Sequence, residues 1–418
     1  MEPKRACLRN KDDVKAGKIS YYEWSEEKER QALEILAEDV ETIPDKMYKE
    51  YDSDANKFWD KFYKNNQTNF YKDRHYLTKE FTELTLEAFT DRVEGKEKVE
   101  TYMKAYSPLK ERFDTLSAEL KSVRDKLREA QEVEKKEKGR RIQEQRKNRK
   151  KSNETTSKEP EESKEETEEL SSKSAEIEQS VKLQEELTQE LRGVKEEIYT
   201  LTNSTFDEEA YMTLMEIGCG VGNAFFPLLM ENPLLKVCAT DFSKRAVYMA
   251  SKHEDFREDR VCLDVNDIAT QDIPEKFTRP NFALLLFVLS AISPEKHESS
   301  LKKIYDQLKP GGVLFFRDYG RYDLAQLNFA KRKKNKLKDN FYVRYDGTRT
   351  FYFEKDEAEA LLKDIGFEIY DSENHLREIK NRKLDLTMNR VWIQIKARKP
   401  LSETVTTSTE LQDSDAKE

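Results

Sequence analysis

Three glycines stand at alternate positions of one short loop: Gly218, Gly220 and Gly222. The apolar run 213–217 before them predicts a strand, and the run 225–230 after them has the pattern of a helix. A ligand can approach the bare backbone of such a loop and meet the free N–H groups at the start of the helix. Asn223 stands where the dinucleotide fingerprint needs its third glycine, and no Gly-Lys-Ser/Thr of a Walker A loop follows. The loop therefore predicts a ligand site that matches neither fingerprint.

Two carboxylates come at the ends of the next two predicted strands. Asp241 follows the apolar run 234–240, and Asp264 follows the run 260–263. A carboxylate after the second strand can accept hydrogen bonds from both hydroxyls of a ribose, as in nucleotide-binding α/β folds. A carboxylate and a backbone N–H at the end of the third strand can bind an adenine edge. The two positions predict a ligand that carries an adenosine group.

These residues need a sheet that brings its strand ends together. Further strands are predicted at 281–289, 313–316 and 391–396, and a helix at 293–308 ends in Lys-Pro-Gly-Gly. Alternating strands and helices predict an α/β fold with a parallel, doubly wound sheet. We place this main domain at residues 205–400.

The overall composition points to unpacked segments. Charged residues make up 38% of the 418 residues and hydrophobic residues 36%, whereas globular chains have about 25% and 45–50%. The net charge of −9 means that a nucleic acid would have to bind to local basic patches. The longest apolar run, 282–292, is shorter than the ~20 residues of a membrane-spanning helix. Four cysteines without a CxxC pair favour a reducing compartment and argue against a zinc ribbon, and we expect no metal.

Between the aromatic-rich residues 1–107 and the main domain lies a charged segment, 108–204. Two heptad-like seams lie in it, Leu109, Phe113, Leu116, Leu120, Val123 and Leu127, and then Leu187, Leu191, Val194, Ile198 and Leu201. The seams can pair as an antiparallel hairpin, or each can pair with another chain. The basic run 135–151 and the acidic stretch 159–169 predict solvated, disordered chain, as does the tail 401–418.

Several of these motifs together resemble one enzyme class. The run 216–223 (Glu-Ile-Gly-Cys-Gly-Val-Gly-Asn), Asp241, Asp264 and the run 308–312 (Leu-Lys-Pro-Gly-Gly) resemble the class I S-adenosylmethionine-dependent methyltransferases. The fourth strand lacks the Asn/Asp-Pro-Pro-Tyr of DNA amine methyltransferases. No Pro-Cys nucleophile is present, which argues against covalent 5-methylcytosine chemistry.

Four further stretches narrow the resemblance. The runs 70–77, 287–292, 316–323 and 340–349 resemble the tRNA 3-methylcytidine methyltransferases, the methyltransferase-like 2/6/8 group, and the long insert is most similar to the type 2 branch. The chain departs from the family pattern in the run 327–331 and at Tyr345, where glycine is common. The family forms 3-methylcytidine at position 32 of the anticodon loop in threonine- or serine-type tRNAs.

The resemblance implies S-adenosyl-L-methionine as the cofactor. The implied cofactor residues are Gly218, Gly220, Gly222, Asp241, Asp264, Val265 and Leu286, with Trp59 and Tyr63 of the N-terminal element lying over the cofactor. The glycine loop and Asp241 would hold the methionine and ribose groups, and Asp264 and Val265 the adenine. The helical spacing of Phe58, Trp59, Phe62 and Tyr63 agrees with an aromatic face that docks on a surface, although such stripes are also typical of plain core.

The acceptor chemistry needs little activation. Cytosine N3 carries a lone pair, so catalysis depends on alignment, and the base must be unpaired to be reached. We hypothesise that Asp318 accepts a hydrogen bond from the N4 amine, because carboxylates bind this group, and that Arg317 and Tyr319 shape the base pocket. The alternative is that Arg317 and Asp318 form a structural ion pair.

Local basic clusters predict RNA contacts to phosphates. The candidates are Lys72, Arg74, His75, Lys331, Arg332, Lys333, Lys334, Arg344 and Arg349, and the run 135–151 is a further candidate. Three isolated histidines, His253, His297 and His375, are expected at the surface.

The expected partners are tRNA, a synthetase or another tRNA-presenting protein, and a second copy through the heptads. The charged start of the chain has no apolar core of a secretory signal, so a cytoplasmic location is expected, with the nucleus as alternative. Two other functions stay open: a protein or small-molecule methyltransferase on the same fold, and an inactive scaffold.

Overall fold

The computed structural model describes residues 25–68, 70–152, 164–277, 279–381 and 386–401. The chain forms two compact units. The main unit comprises the chain up to Asp91 together with the chain from Tyr211 onward, and the second unit is Arg92–Ala210. The main unit thus includes the aromatic N-terminal region, and it resumes at Tyr211 instead of at residue 205. None of the described helices is long and apolar enough to cross a membrane.

A seven-stranded sheet forms the centre of the main unit, in the order β3-β2-β1-β4-β5-β10-β9. Its strands are β1 Met212–Ile217, β2 Leu235–Asp241, β3 Val261–Val265, β4 Phe282–Leu286, β5 Val313–Tyr319, β9 Glu368–Asn381 and β10 Leu386–Arg398. The first five are parallel, and β10 and β9 are antiparallel. Every residue of β4 is buried, as expected for a strand covered on both faces. The predicted parallel α/β sheet is confirmed, and the long hairpin of β9 and β10 extends it.

Helices of the main unit lie before and between these strands. They are α1 Glu26–Ala37, α2 Asp45–Ser53, α3 Ala55–Asn66, α4 Leu77–Glu80, α5 Leu86–Thr90, α8 Phe225–Glu231, α9 Lys244–Ser251, α10 His297–Gln307, α11 Leu324–Arg332 and α12 Lys355–Ile365. Side chains of α10 and α12, such as Ile304 and Leu362, pack with β4 and β5 in one buried apolar cluster. Helix α12 is capped at its C-terminus by Gly366, whose φ of +111° favours glycine.

The N-terminal region packs directly on the sheet. The ring of Phe81 lies 4.7 Å from that of Phe315 in β5, and the ring of Phe89 lies 5.7 Å from that of Phe282 in β4. All four rings are buried. Burial of such rings is strongly favourable, so residues 25–91 share one core with the sheet.

The second unit is a pair of long helices, α6 Lys96–Ser152 and α7 Lys164–Thr205. The Tyr102 hydroxyl lies 3.0 Å from Oγ1 of Thr202, and Arg112 pairs with Glu197 at 3.7 Å, so the helices run antiparallel. The buried seam residues are Leu116, Leu120, Leu127, Leu187, Leu191, Val194 and Ile198. Of the two pairings that the sequence leaves open, the structure has the antiparallel hairpin within one chain.

The basic run 135–151 corrects one expectation. The sequence predicts disorder there, but α6 continues through this run and also through Pro108. Lys, Arg, Glu and Gln are good helix formers. Ion pairs one turn apart, such as Lys138–Glu134 at 2.6 Å, add support. Of the acidic stretch 159–169, which the sequence also predicts to be disordered, residues 164–169 form the start of α7. Residues 159–163 and the tail 402–418 lie outside the described residues.

A small three-stranded antiparallel sheet follows α11: β6 Lys336–Lys338, β7 Phe341–Val343 and β8 Arg349–Phe351. Its buried residues Leu337, Phe341 and Val343 pack against Tyr48 and Tyr51 of α2. The end of a second basic run, 331–338, is therefore part of a sheet. The side chain of Lys336 is buried and donates to the Asp39 carbonyl oxygen at 2.6 Å.

The expectation of surface histidines is wrong for His297 and His375, which are 5% and 1% exposed. His297 packs between the rings of Phe351 and Phe353, and its Nε2 lies 3.0 Å from the Ile292 carbonyl oxygen. Burial lowers the pKa of His297 to about 4, so the ring is neutral and packs as an aromatic residue.

Candidate active site

A cavity of about 730 Å³ opens in the main unit at the carboxyl ends of β1, β2, β4 and β5. Ligands of parallel α/β sheets bind at this edge. Helices α2 and α3 and the segment 71–76 form further walls of the cavity. The N-terminal region thus helps to enclose the site, in addition to packing on the sheet.

The glycine loop adopts a backbone that other residues rarely tolerate. Gly218, Gly220 and Gly222 have φ angles of +67°, +57° and +94°. A Cβ on Gly218 would lie 2.4 Å from a methyl of Val288, and one on Gly220 would lie 2.6 Å from the Tyr63 hydroxyl. Gly218 and Gly220 line the cavity, whereas Gly222 packs against Phe226 and does not.

Asp241 fixes this loop from the end of β2. Its two carboxylate oxygens accept the backbone N–H groups of Gly220 at 2.9 Å and Ser243 at 2.8 Å. Burial raises the pKa of Asp241 to about 6, although both N–H groups favour the charged form. A carboxylate has about four acceptor positions, so Asp241 keeps capacity for ligand hydroxyls.

Glu216 at the end of β1 is the second buried acid of the cavity. Burial raises its pKa to about 8, while the charge of Arg74 acts in the opposite direction. Its Oε2 atom has no hydrogen-bond partner among the described residues. A buried acceptor of this kind needs a donor, and the ammonium group of an amino acid moiety fits there.

The predicted adenine residues lie beside the cavity and not in its wall. Asp264 pairs with Lys276 at 2.7 Å, and Val265 is 39% exposed. The next five residues along the chain, 266–270, line the cavity instead. The N–H of Asn266 donates to the Asp241 carbonyl oxygen at 3.2 Å, which draws this loop towards the site. The sequence locates the strand end, but not which residues after it turn inward.

Trp59 and Tyr63 of α3 line the cavity, and so does Leu286 at the end of β4. Tyr63 is 5% exposed and packs with Phe62 and Val221, so it serves as core and as cavity wall at once. Helix α3 is held in place by Asp60, which accepts from the hydroxyl of Ser243. The aromatic stripe of α3 is therefore both a face that docks on the sheet domain and part of the hydrophobic core.

The opposite half of the cavity is aromatic and basic. The ring of Phe287 lies 4.9 Å from that of Tyr319 and 5.8 Å from that of Trp392, and all three residues line the cavity. The guanidinium of Arg74 lies 5.1 Å from the Phe287 ring, and that of Arg390 lies 5.7 Å from the Tyr319 ring. Phe287 has a φ of +59°, a strained conformation that often marks functional sites. Flat bases stack well on such surfaces.

Sequence reasoning did not assign Phe287, Arg390 or Trp392 to the site. Phe287 lies in the family-like run 287–292, but Arg390 and Trp392 carry no local signal. They reach the cavity because β10 pairs with β5 in a register that puts Trp392 opposite Tyr319. Arg390 is held by a 2.7 Å ion pair with the buried Asp323.

Two of the three predicted catalytic residues lie behind the cavity wall. Asp318 is fully buried, and its oxygens accept the N–H groups of Ser290 and Tyr319 at 2.9 and 2.8 Å. Burial raises the pKa of Asp318 to about 6. Neither Asp318 nor Arg317 lines the cavity, whereas Tyr319 does.

Arg317 belongs to a buried charge cluster. It is 1% exposed, lies 2.9 Å from Glu80 and hydrogen-bonds Gln394. Glu80 also pairs with Arg377 at 3.1 Å. The ion pair of Arg317 is thus made with Glu80, and the alternative pair with Asp318 is wrong.

The predicted RNA-binding residues divide into two groups. Exposed are Lys72, His75, Lys331, Arg332, Lys333 and Lys334. Arg74 and Arg344 lie mostly inside, the latter with its guanidinium 5.5 Å from the Tyr319 ring. Arg349 is buried and donates to Asp52 at 2.7 Å, to Ser293 at 2.8 Å and to the Ala291 carbonyl oxygen at 2.9 Å. Arg349 therefore ties α2 to the loop after β4.

Comparisons with known proteins agree with this site. A family model described as "Methyltransferase domain" matches residues 184–372. The bovine tRNA N(3)-cytidine methyltransferase METTL2 is 32% identical over 91% of this chain and 88% of its own length, and the human METTL2B gives the same figures. The chain belongs to the METTL2 family of tRNA N(3)-cytidine methyltransferases. The Dictyostelium discoideum protein named O-methyltransferase 3 is 33% identical over 91% of this chain and 78% of its own length.

METTL2 membership confirms the resemblance predicted from the motifs. Among solved structures, a SAM-dependent methyltransferase from Methanosarcina mazei aligns with 47% of this chain and 95% of its own, at 19% identity and a TM-score of 0.37. The protein is a methyltransferase, and its cofactor is S-adenosylmethionine.

The cavity residues of this METTL2-family member fit that cofactor. The orphaned Oε2 of Glu216 suits the ammonium of the methionine part, and Asp241 suits the ribose hydroxyls. Trp59 and Tyr63 line the same cavity, and the Tyr63 hydroxyl lies next to Gly220 of the glycine loop. The cofactor supplies an electrophilic methyl group, and the aromatic half of the same cavity is where an acceptor can lie.

Proposed function

We propose that this enzyme methylates N3 of an unpaired cytidine in tRNA, forming 3-methylcytidine at position 32 of the anticodon loop of threonine- or serine-type tRNAs. One observation carries the proposal: a single cavity joins the glycine loop and Asp241 to a chamber lined by Phe287, Tyr319 and Trp392. The methyl group and a stacked base can therefore meet within one cavity.

The chamber suits a splayed-out nucleotide. A base that is stacked and paired inside a helical stem cannot enter an enclosed pocket, whereas a loop nucleotide can leave its stack. Rings on several sides favour stacking, and the guanidinium groups of Arg74 and Arg390 offer donors to the base or its phosphate. Cytosine N3 needs no prior deprotonation, so orientation is the main requirement.

For two of the three predicted catalytic residues, Tyr319 and Asp318, we propose different roles. Tyr319 contacts the base directly as part of the wall. Asp318 is a positioning residue, because its two oxygens hold the N–H groups of Ser290 and Tyr319 in place. Asp318→Asn should lower kcat, with KM for S-adenosylmethionine unchanged. Normal turnover at saturating tRNA would remove Asp318 from the mechanism.

We propose that the exposed basic residues bind RNA phosphates around the target base. Lys72 lines the cavity, and there it can bind a phosphate of the RNA strand that enters. The exposed run 331–334 forms a second basic cluster at the end of α11. Their contribution should be strongly salt-dependent.

Partners and location follow from the substrate. A synthetase or another tRNA-presenting protein is proposed as a partner, as is a second copy of the chain through the heptad segment. Light scattering of the purified chain tests self-association directly. A cytoplasmic site of action, with the nucleus as alternative, is proposed because tRNA is handled in both places.

The deciding experiment is chromatographic mass spectrometry of nucleosides. Purified enzyme is incubated with labelled S-adenosylmethionine and either unmodified or native tRNA. The expected product is 3-methylcytidine, in which the label fragments with the base. Trp392→Ala should lower its formation while cofactor binding persists, and Asp241→Asn should weaken cofactor binding itself.

A second acceptor is favoured by the name of the Dictyostelium relative, O-methyltransferase 3. The same experiment resolves it, because a 2′-O-methylated nucleoside carries the label on the ribose fragment. Label on protein or on a small molecule would favour the corresponding methyltransferase. Intact cofactor binding without transfer to any of them would favour the inactive scaffold.

A further inference from the structure

The turn between β7 and β8 presents a tyrosine almost entirely to solvent. Tyr345 is 95% exposed, the highest value among the large hydrophobic side chains that the structure describes. Isolated exposed apolar residues are common, so exposure alone has no meaning. The position of Tyr345 beside the cavity and the rigidity of its turn are what indicate a function.

The turn is held by its own hydrogen bonds. Oδ1 of Asp346 accepts the N–H of Thr348 at 3.0 Å and its hydroxyl at 2.7 Å, and the N–H of Arg344 donates to the Thr348 carbonyl oxygen at 2.7 Å. Gly347, with a φ of +84°, packs so closely on Phe58 of α3 that a Cβ would lie 2.1 Å from its ring. Tyr345 therefore projects from a fixed support.

The support borders the active-site cavity. Arg344, next to Tyr345, stacks on the cavity residue Tyr319, and Arg349 at the start of β8 lines the cavity itself. On the facing segment, Phe70 is 54% exposed, and its ring lies 4.9 Å from that of the cavity residue Tyr71. Phe58, on which Gly347 of the turn packs, and Phe62, whose ring lies 4.8 Å from that of Phe70, are one turn apart on α3, so the turn and this segment are neighbours on that helix.

We propose that Tyr345 and Phe70 form a stacking subsite for an unpaired nucleotide adjacent to the target cytidine, an inference that rests on the proposed function. A nucleotide drawn into the cavity leaves its neighbours without their stacking partner, and an exposed ring beside the cavity replaces it. The exposed Lys72, two residues after Phe70, provides a cation for the connecting phosphate. Aromatic rings interleaved with a cation are typical of single-strand RNA sites.

The test is steady-state kinetics with tRNA on four variants. Tyr345→Ala and Tyr345→Leu should raise KM for tRNA by about 5-fold to 100-fold, the range expected for loss of one base-stacking ring. Tyr345→Phe keeps the ring and should stay within about 2-fold of the wild type. Tyr248→Ala, at an exposed tyrosine of α9 outside the cavity wall, is the matched control and should change nothing.

Two readouts separate this subsite from general damage. The affinity for S-adenosylmethionine and the melting temperature should not change, because Tyr345 contacts neither core nor cofactor wall. 2-Aminopurine placed beside the target cytidine should be quenched by the wild type and less by Tyr345→Ala. An unchanged KM and unchanged quenching in Tyr345→Ala overturn the inference. So does a loss of activity in that variant that is seen only when a synthetase is added, which would assign the ring to a protein partner. A wild type that methylates no tRNA refutes the proposed function instead.

Discussion

Arg317 provides the sharpest test of whether a residue near the site acts in chemistry or in folding. The sequence motif suggests a place in the base pocket, whereas the structure has its guanidinium 1% exposed, between Glu80 and Gln394 and 5.2 Å from the Tyr76 ring. We expect Arg317→Met to destabilise the main unit and to leave catalysis by the folded enzyme nearly intact.

The size of the effect follows from the cluster. Removing one partner of a buried ion pair costs about 3–5 kcal/mol, because the other charge is left uncompensated. Glu80 keeps Arg377 at 3.1 Å when Arg317 is replaced, and its interaction with Arg317 lacks hydrogen-bond alignment. Arg317→Met should therefore lower the free energy of unfolding by about 3 kcal/mol, the lower end of this range. Glu80→Gln leaves two guanidinium groups without a carboxylate and should cost more, about 4–5 kcal/mol.

Urea unfolding followed by tryptophan fluorescence measures this cost. Residues 92–210 contain no tryptophan, so the signal reports the main unit. In the double variant Glu80→Gln/Arg317→Met, the combined loss of stability should be smaller than the sum of the two single losses, since the residues share one interaction.

Methyl transfer by each variant is measured at a temperature where it is folded. A kcat lowered by 100-fold or more in Arg317→Met, with the free energy of unfolding unchanged, would refute the structural role and restore the catalytic one.

Three further predictions concern the cofactor site, the support of α2 and the basic run after α11. Asp241 must be ionised to accept ribose hydroxyls, so calorimetry should show cofactor affinity rising between pH 5 and 7 as its pKa of about 6 is passed. Because that pKa is raised on folding, its contribution to stability is fully present below the unfolded pKa of about 4 and is lost as the pH rises from about 4 to about 6. Asp241→Asn should weaken cofactor binding about 10-fold to 100-fold and abolish this pH dependence; a retained pH dependence would contradict the assignment. Asp52→Asn should lower stability by about 2 kcal/mol, since it removes the carboxylate that accepts from Ser293, Lys296 and Arg349 and whose pKa they hold well below its usual value; an unchanged melting temperature would refute it. Replacing the four residues 331–334 by Gln should weaken tRNA binding and reduce the slope of log K against log salt by about 0.7–0.9 for each phosphate that the variant no longer binds, without affecting the cofactor; a slope equal to that of the wild type would exclude them from the interface.

The cofactor half of the site is predictable from sequence because its signals are local. Buried parallel strands appear as short apolar runs, and the loop after β1 needs positive φ angles that only glycine adopts easily. Asp241 can be located because it comes directly after the apolar run that predicts the second strand. The sequence locates such residues only to within a few positions: it predicts Asp264 in the site, whereas residues 266–270 line the cavity.

The acceptor half is not predictable in the same way. The sequence predicts that Arg349 binds RNA because it follows the basic run 331–338. In the structure, its guanidinium forms an ion pair with Asp52 instead. Lys336 belongs to the same run and lies buried on the Asp39 carbonyl oxygen. A basic side chain looks the same in sequence whether it meets a phosphate or a carboxylate, and only the fold decides which.

The division between the two halves also explains why a general methyltransferase match does not identify the acceptor. The matched residues 184–372 contain the glycine loop and the first five strands, but they exclude Trp59, Arg74, Arg390 and Trp392. These four residues come from the N-terminal region and from β10, on either side of the matched segment. A common fold hosts many reactions, and the acceptor is chosen by the walls added to it. Substitutions at Arg74, Arg390 or Trp392 should therefore change which nucleotide is methylated before they change how the cofactor binds.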